Sequence, residues 1–267
     1  MTLTDDPVIP VRAPRRGTGA RGALISAGSV LLGLLVWQLL AARFGPALLA
    51  SPLETLRAGI ELARDGTLFD SVLASARRIL IGWGLGLLVG VPVGLVMGRV
   101  QIIRTLLDPH IEFFRFIPPV AFVTLAVVWF GIGESSKVVL IFYTSVFIVT
   151  LNTVAGVLAV SESKLRAAVS LGAGRRQIMF YVVLPATVPH VVTGARLAMG
   201  NSFLTIVSAE IVAAQVGLGA LIWTSRNYGR IDWVFVGIIV LGVLGFVFDR
   251  VLRIVARRVL RRYAVKL

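Results

Sequence analysis

The sequence has no cysteine, only two histidines and only three lysines, and each scarcity excludes a class of chemistry. Without cysteine there are neither disulfide bonds nor thiolate metal sites. The histidines, His110 and His190, are far apart, and neither belongs to the His-Glu-x-x-His pattern of zinc proteases. No lysine follows a glycine, so the Gly-Lys-Ser/Thr sequence of a P-loop is missing. We therefore predict no catalytic residue, no metal site and no cofactor held by this chain.

Apolar residues, by contrast, are abundant. They make up 57% of the chain, charged residues make up 15%, and the mean hydropathy is +0.90. This composition is too apolar for a soluble domain. A helix needs about 20 apolar residues to cross a bilayer, and several segments approach or exceed that length. We predict an all-α polytopic membrane protein with six transmembrane helices, over residues 23–42, 71–97, 109–130, 137–160, 187–214 and 233–254.

The net charge of +14 is distributed unevenly between the two sides of this topology. With both termini in the cytoplasm, 17 of the 27 Lys and Arg residues lie in cytoplasmic segments and 8 in external ones. Basic residues at the ends of spans are counted with the adjoining segment, so that Arg77, Arg78 and Lys137 count as external, and only Arg115 and Arg196 are counted as lying within spans. Because cytoplasmic loops carry an excess of Lys and Arg, we predict that both termini are cytoplasmic. The same asymmetry explains the basic composition without nucleic acid as a partner.

The chain divides into four regions. Residues 1–22 are polar and are predicted to be a disordered cytoplasmic tail. Residues 23–70 are predicted to hold the first span and an amphipathic helix outside the bilayer, residues 71–254 a core of five spans, and residues 255–267 a basic cytoplasmic tail. The first 22 residues could pass for the start of a signal peptide, but the long apolar run that follows favours an uncleaved anchor.

Two segments have a pattern that predicts local structure. Ser51 and Pro52 are suited to the cap and first position of the external helix, whose predicted apolar face consists of Leu53, Leu56, Ile60 and Ala63. In the second span, glycine recurs every four residues, which predicts a stripe along which another helix packs closely. The stripe consists of Gly82, Gly86, Gly90, Gly94 and Gly98.

A polar, glycine-containing loop over 161–185 joins the fourth and fifth spans. Ala167 and Ala168 favour a short helix, Gly172 and Gly174 permit a sharp turn, and Pro185 is expected to end or kink a second helix. Such a helix-turn-helix fits a cleft on a partner, although an ordinary connector has similar residues. The candidate coupling residues are Arg166, Ala167, Ala168, Gly172, Gly174, Leu184 and Pro185.

Polar residues within spans are the other candidates, either as translocation-pathway residues or as contacts between helices. Glu112 and Arg115 are three residues apart and are predicted to pair near the cytoplasmic end of the third span. Pro118 and Pro119 should bend that span. Arg196 and Glu210 are about 21 Å apart along one helix, too far to pair with each other. The full set is Glu112, Arg115, Asn152, Arg196, Asn201, Ser208 and Glu210.

The loop resembles the cytoplasmic loop through which bacterial ABC-importer permeases contact their ATPase. The family pattern is Glu-Ala-Ala, three residues, Gly, nine residues, an aliphatic residue, any residue and Leu-Pro. Arg166 stands where the family often has Glu. The positions that match are Ala167, Ala168, Gly172, Val182, Leu184 and Pro185.

Other segments resemble the sulfonate, taurine and nitrate permeases of this family. They are Ser51-Pro52-Leu53-Glu54-Thr55, Leu107-Asp108-Pro109, Phe113-Phe114-Arg115-Phe116-Ile117-Pro118-Pro119, Trp129-Phe130-Gly131-Ile132-Gly133-Glu134, Ala209-Glu210 and Gly217-Leu218-Gly219.

The resemblance implies a type I ABC importer permease fold in a bacterial cell membrane. It implies four further components: a second permease copy in a homodimer, a cytoplasmic ATP-binding subunit, an extracytoplasmic substrate-binding protein and the surrounding lipid. The ATPase would use ATP and Mg²⁺, and the solute would be a small oxyanion such as a sulfonate, taurine or nitrate. The alternatives are an ion-gradient-driven secondary transporter, which would need a proton or sodium site, and a membrane-anchored enzyme.

Overall fold

The structure, a computed structural model, describes the backbone of residues 20–259 and the side chains of residues 22–258. The described residues are helical and contain no strand. Most of the predicted tail over 1–22 and residues 260–267 lie outside the described part. The chain divides after Pro52 into two units, the first containing α1 and the second the remaining helices.

The helices are, in chain order, α1 (Ala20–Phe44), α2 (Pro52–Arg64), α3 (Thr67–Arg99), α4 (Gln101–Arg115), α5 (Val123–Phe130), α6 (Glu134–Leu158), α7 (Glu162–Ser170), α8 (Arg175–Ile178), α9 (Leu184–Ala213), α10 (Leu218–Asn227) and α11 (Ile231–Val259). A 3₁₀ turn, Pro119–Phe122, precedes α5, and a π-helical turn, Met179–Val183, joins α8 to α9. Helix α10, in the connection between the fifth and sixth spans, was not predicted. Helix α11 continues into the predicted tail over 255–267.

Five helices are long and apolar enough to cross a membrane, and a sixth span is possible if α4 and α5 are taken together. The predicted start of the third span at residue 109 is corrected, because α4 begins at Gln101, and α4 and α5 are bent by 87° relative to each other. The bend expected at Pro118 and Pro119 is confirmed. Carbonyl groups freed by a break need a donor inside a membrane, and Tyr143 Oη donates to the carbonyl oxygens of Phe114 and, at 3.4 Å, Ile117.

The glycine stripe of α3 lies against α6, as predicted. A Cβ atom added at Gly86 would lie 2.4 Å from Ser145 Cβ, and one added at Gly94 would lie 2.6 Å from Thr153 Cβ. Gly84, which is outside the stripe, has no such neighbour within 4 Å. The two helices therefore approach too closely for any side chain larger than hydrogen at the stripe positions.

The core of the second unit forms where α3, α6 and α9 meet. Its buried side chains are Ile79, Ile141, Met199, Phe203 and Ile206. The α3–α6 approach and this cluster together fix three spans against one another, and these three helices position the polar groups described below.

Helix α2 begins at Pro52 as predicted, but its predicted apolar face is not the buried one. Leu53, Leu56 and Ile60 are exposed, whereas Ala58 and Leu62 are buried against Leu221, Val236 and neighbouring side chains. The apolar residues of α2 lie on more than one side of the helix, so periodicity alone did not identify which side the α10 and α11 helices cover. In the first unit, Trp37 Nε1 donates to the carbonyl oxygen of Ala50 at 2.9 Å.

Candidate functional site

The loop over 161–185 forms a helix-turn-helix in which hydrogen bonds close the end of α7 and the start of α8. At the end of α7, the N–H of Ala173 donates to Ala168 O at 3.0 Å and the N–H of Gly172 donates to Val169 O at 2.9 Å. This is the Schellman arrangement, which needs a left-handed residue, and Gly172 has φ 79°. At the start of α8, the N–H of Gly174 donates to Gln177 Oε1 at 2.8 Å. The predicted turn at Gly172 and Gly174 is therefore present.

One side of this loop is anchored to the membrane helices. Val157, Ile178 and Val183 are buried in one cluster, and Ala168 packs against it. Ala167 and Arg166 are on the other side and are exposed. Arg166 is paired with Glu162, and both side chains are about four-fifths exposed. The two neighbouring alanines thus have different surroundings: Ala168 fixes the loop internally, and Ala167 is available to a partner.

The structure corrects the expectation that Pro185 ends or kinks the helix. Arg175–Ala213 runs as one continuous span, with Leu184 and Pro185 half-buried in the first turn of α9. Proline has no N–H and cannot complete the hydrogen bonding of the preceding turn. The irregularity appears instead as the π-helical turn Met179–Val183, directly before Pro185. Turns of this kind are often found at functional positions.

Leu171, at the tip of the loop, was not among the predicted residues. It is 88% exposed and directly precedes the left-handed Gly172. An exposed leucine in a polar loop is ordinary in isolation. Here Leu171 lies in the turn between the closed end of α7 and the closed start of α8. It is not one of the residues that match the family pattern, so no signal in the sequence indicated its exposure.

Glu210 lies at the centre of a buried ionic cluster between α3, α9 and the start of α10. Its carboxylate accepts from Arg78 Nη1 at 2.6 Å, from Ser75 Oγ at 2.8 Å and from the N–H of Gly219 at 2.8 Å. Glu210 and Ser75 are 0% exposed, and Arg78 is 5% exposed. A buried charge needs this density of partners, so Glu210 serves as a contact between helices.

Arg78 and Lys137 were predicted to be external loop charges, and both are in fact buried within helices. Arg78 forms two hydrogen bonds with Glu134, at 2.6 and 2.7 Å, in addition to its bond with Glu210. Lys137 Nζ donates to Gly133 O at 3.1 Å. Hydrophobicity alone placed these residues near a span boundary. Distant partners, Glu134 and Glu210, accompany the burial of Arg78, whereas the partners of Lys137 are the nearby Gly133 and Glu134.

The close approach of the chain to Glu210 depends on Gly217. This residue has φ 144°, and an added Cβ would lie 2.4 Å from Glu210 Cδ. The Gly217-Leu218-Gly219 segment therefore passes directly over the carboxylate. The N–H of Leu218 completes the arrangement by donating to Ser75 Oγ at 2.9 Å.

Four other predicted polar residues make contacts between or within helices. Arg196 Nε on α9 donates to Asp249 Oδ1 on α11 at 2.9 Å, which is one of the roles predicted for it. Asn152 Nδ2 donates to Ile148 O within α6 at 2.8 Å. The predicted Glu112–Arg115 pair is present at 2.7 Å. Since α4 is Gln101–Arg115, the pair lies in the last turn of the helix, directly before the break.

A cavity of about 300 Å³ between the α4–α5 break, α6 and α9 brings three predicted residues together. Arg115, Asn201 and Ser208 line it, with Tyr143, Thr144 and Thr205 as the other hydroxyl-bearing residues. Thr144 and Thr205 are hydrogen-bonded to each other at 3.0 Å. Glu112, Asn152, Arg196 and Glu210 do not line this cavity.

A second cavity, of about 540 Å³, lies between the start of α3, α10 and the start of α11. Arg230, in its lining, donates to Asp232 at 2.9 Å and to Glu61 on α2 at 3.0 Å. The hydrogen bond with Asp232 raises the pKa of Arg230 above its ordinary value. Arg230 therefore stays charged and joins α2 to the first turn of α11.

Comparison with known proteins identifies the family. Residues 86–261 match the family described as "Binding-protein-dependent transport system inner membrane component". The chain is 37% identical to the taurine transport system permease protein TauC of Escherichia coli K12, over 90% of each chain. It is 30% identical to the nitrate import permease protein NrtB of Leptolyngbya laminosa, over 96% of this chain and 98% of that one.

The fold is also found among solved structures. An inward-facing structure of the MetNI methionine ABC transporter contains a chain that aligns with a TM-score of 0.62 at 19% identity, over 76% of this chain and 98% of that one. This likeness shows the type I ABC importer permease fold. The family match and the identity to TauC exclude the alternatives of a secondary transporter and a membrane-anchored enzyme. The chain belongs to the inner membrane components of binding-protein-dependent transport systems and is the non-enzymatic permease subunit of an ABC importer, which works with an ATP-binding subunit and a substrate-binding protein.

Proposed function

We propose that this permease imports a small oxyanion, such as a sulfonate, taurine or nitrate, that the substrate-binding protein delivers. The observation that carries this proposal is the similarity to the taurine and nitrate permeases over nearly the whole chain. Both solutes present negatively charged oxygen atoms. The extracytoplasmic binding protein selects the solute, and the permease provides a path through the membrane.

The ATP-binding subunit docks on the loop over 161–185, and ATP and Mg²⁺ are bound by that subunit. Support comes from the shape of the loop. Closed helix ends fix its exposed side, and Arg166, Ala167 and Leu171 are exposed there. The loop continues without interruption into α9, so a displacement at the docking surface is transmitted along a rigid helix to the membrane interior.

Two copies of the permease form a homodimer, with α9 facing the partner. The exposed apolar side chains of α9 support this arrangement, since Leu197, Leu204 and Val212 are 51%, 72% and 59% exposed. Small and polar residues, Gly200 and Asn201, lie among them. A helix face that carries both apolar and polar residues suits a protein–protein interface that also borders the path of the solute.

Both termini lie in the cytoplasm of a multi-pass bacterial membrane protein. The positive-inside argument becomes stronger with the burial of Arg78 and Lys137, because neither then counts as an external loop charge. The excess of Lys and Arg on the cytoplasmic side sets the orientation. A cysteine introduced at Ile132, in the proposed outer turn, should react with an impermeant thiol reagent added outside intact cells, and one at Leu171 should not.

Transport by the complete importer in proteoliposomes tests the proposed function. Taurine and nitrate are offered separately, together with the substrate-binding protein. We expect uptake of at least one of them to require ATP inside the compartment that contains the ATP-binding subunit. Uptake of neither solute would contradict the oxyanion proposal, and uptake driven by an ion gradient without ATP would contradict the energy coupling.

A further inference from the structure

We propose, on the basis of the oxyanion import proposed above, that the cavity between the α4–α5 break, α6 and α9 is where the permease holds the solute during translocation. Arg115 is the group that recognises the negative charge. Ser208 and Asn201 supply hydrogen-bond donors to the oxygen atoms. Each of these roles follows from a separate feature of the cavity.

The charge of the lining favours an anion. Arg115 is the one ionisable cation among the described residues of the lining, and no carboxylate is among them. Glu112 Oε2 accepts from Arg115 Nε at 3.1 Å and from Nη2 at 2.7 Å. The same guanidinium retains Nη1, which has no acceptor among the described residues. Arginine binds oxyanions through such free N–H groups, and a cation within a membrane is a functional candidate by default.

Two side chains in the lining have hydrogen-bonding capacity that the fold does not use. Ser208 Oγ has no hydrogen-bond partner among the residues that the structure describes. Asn201 is exposed, and its Nδ2 uses one N–H for Leu197 O at 3.1 Å, which leaves a second N–H. A hydroxyl and an amide N–H are suitable donors to a sulfonate or nitrate oxygen.

The position of the cavity suits a translocation site. Ser208 and Asn201 lie about 8 and 18 Å from the outer end of α9, so the cavity is within the membrane-spanning part. Its volume of about 300 Å³ is within the range of small-molecule sites. Tyr143 Oη, in the lining, donates to the carbonyl oxygens of Phe114 and Ile117 at the α4–α5 break, so the hydroxyl group of Tyr143 holds the break in place beside the cavity.

The cavity is also connected to the energy-coupling loop. Asn201, Thr205 and Ser208 belong to the same continuous span, Arg175–Ala213, that begins at the loop. Movement of the loop therefore changes the position of half of the polar lining relative to Arg115 on α4. This arrangement can alternate between holding and releasing an anion.

The test uses the complete importer in proteoliposomes, with taurine and nitrate as separate probes. Arg115→Gln removes the cation, and Glu112→Gln is the matched control because it breaks the same ion pair and leaves the cation in place. We expect Arg115→Gln to lower uptake about tenfold or more and Glu112→Gln to leave uptake within about twofold of the wild type. Arg115→Lys, which keeps the charge, should recover part of the uptake.

Asn201→Asp provides a second, independent measurement. It preserves the shape of the side chain but adds a negative charge to the lining, and uptake of nitrate should fall about tenfold or more. ATP hydrolysis and co-purification of the ATP-binding subunit should be retained in each variant, which shows that the complex has assembled.

The outcomes separate the two proposals. If the wild type transports either probe and Arg115→Gln does so equally well, the cavity assignment is wrong and oxyanion import stands. Equal losses in Arg115→Gln and Glu112→Gln would also overturn it, because the ion pair would then matter and not the cation. If the wild type transports neither probe, oxyanion import itself fails and the assignment fails with it.

Discussion

Arg78 and Glu210 are 132 residues apart in the sequence, yet Arg78 Nη1 lies 2.6 Å from Glu210 Oε1 in the buried part of the helix bundle. The pair joins the N-terminal half of α3 to the C-terminal end of α9. Through Val216 O, which accepts from the same Nη1 at 2.7 Å, it also holds the segment leading to α10. One guanidinium thus connects three parts of the permease that the sequence separates widely.

Removing Glu210 should destabilise the permease strongly. Glu210→Ala leaves Ser75 and the N–H of Gly219 without their acceptor and deprives Arg78 of one of its two carboxylates. Breaking a buried pair typically costs about 3–5 kcal/mol. Thermal unfolding of the detergent-solubilised permease should therefore occur at a clearly lower temperature. Glu112→Gln, which affects an exposed pair, should change stability by about 1 kcal/mol at most. Equal melting temperatures for the two variants would contradict the structural role of Glu210.

Substitution in the glycine stripe should have a position-dependent effect. At Gly86, a methyl group would lie 2.4 Å from Ser145 Cβ, so Gly86→Ala must separate α3 from α6. We expect a loss of about 1–3 kcal/mol, typical of overpacking. Gly84→Ala is the control, because the same methyl group meets nothing within 4 Å. Melting curves of both variants measure the difference, and a Gly86→Ala variant as stable as Gly84→Ala would show that the helices do not pack along the stripe.

Leu171 should contribute to binding of the ATP-binding subunit. Leu171→Ser removes the most prominent apolar side chain of the loop without touching its buried anchor, Ile178. Loss of a central apolar contact should weaken association about fivefold to tenfold. The measurement is titration of the purified subunit onto the permease. Ile132→Ser, at another strongly exposed position in the turn before α6, is the control and should bind as the wild type does. Unchanged binding of Leu171→Ser would exclude this side chain from the interface.

The charge at position 166 should affect which ATP-binding subunit the permease binds. The family often has Glu at this position, so we expect the ATP-binding subunit to present an acidic or neutral surface to Arg166. Arg166→Glu should lower both assembly and permease-coupled ATP hydrolysis, while Arg166→Gln, which removes charge without introducing repulsion, should have a smaller effect. Within the loop, Glu162 and a glutamate at 166 would repel by only about 0.2–0.5 kcal/mol. If Arg166→Glu assembles and hydrolyses ATP as the wild type does, position 166 is not a selective contact.

Periodic and local features could be predicted from the sequence. The glycine stripe repeats every four residues, and this spacing indicated that another helix packs closely on α3, while the structure identifies that helix as α6. The bend after Arg115 followed from two adjacent prolines, and the turn at Gly172 followed from the residue type that a left-handed conformation requires. Each of these depends on a few neighbouring residues, so a single sequence contains the necessary information.

Long-range pairing could not be predicted in the same way. Arg77 and Arg78 are adjacent and chemically identical, but Arg77 is exposed and Arg78 is buried. The distinction arises from Glu134 and Glu210, which are distant in the sequence. The buried side of α2 and the inward position of Ala168 were unpredictable for the same reason, because both are determined by helices that lie far along the chain.

The π-helical turn Met179–Val183 determines how α8 and the loop over 161–185 are rotated, about the helix axis, relative to the side chains of α9. Successive residues of an α-helix are about 100° apart around its axis, and a π-helical turn accommodates one residue more. If this turn were α-helical and one residue shorter, α8 and the loop would be rotated by about 100° around the helix axis relative to Asn201 and Ser208. The orientation of the loop relative to the α9 residues that line the cavity therefore depends on the one extra residue of this turn, which directly precedes Leu184 and Pro185.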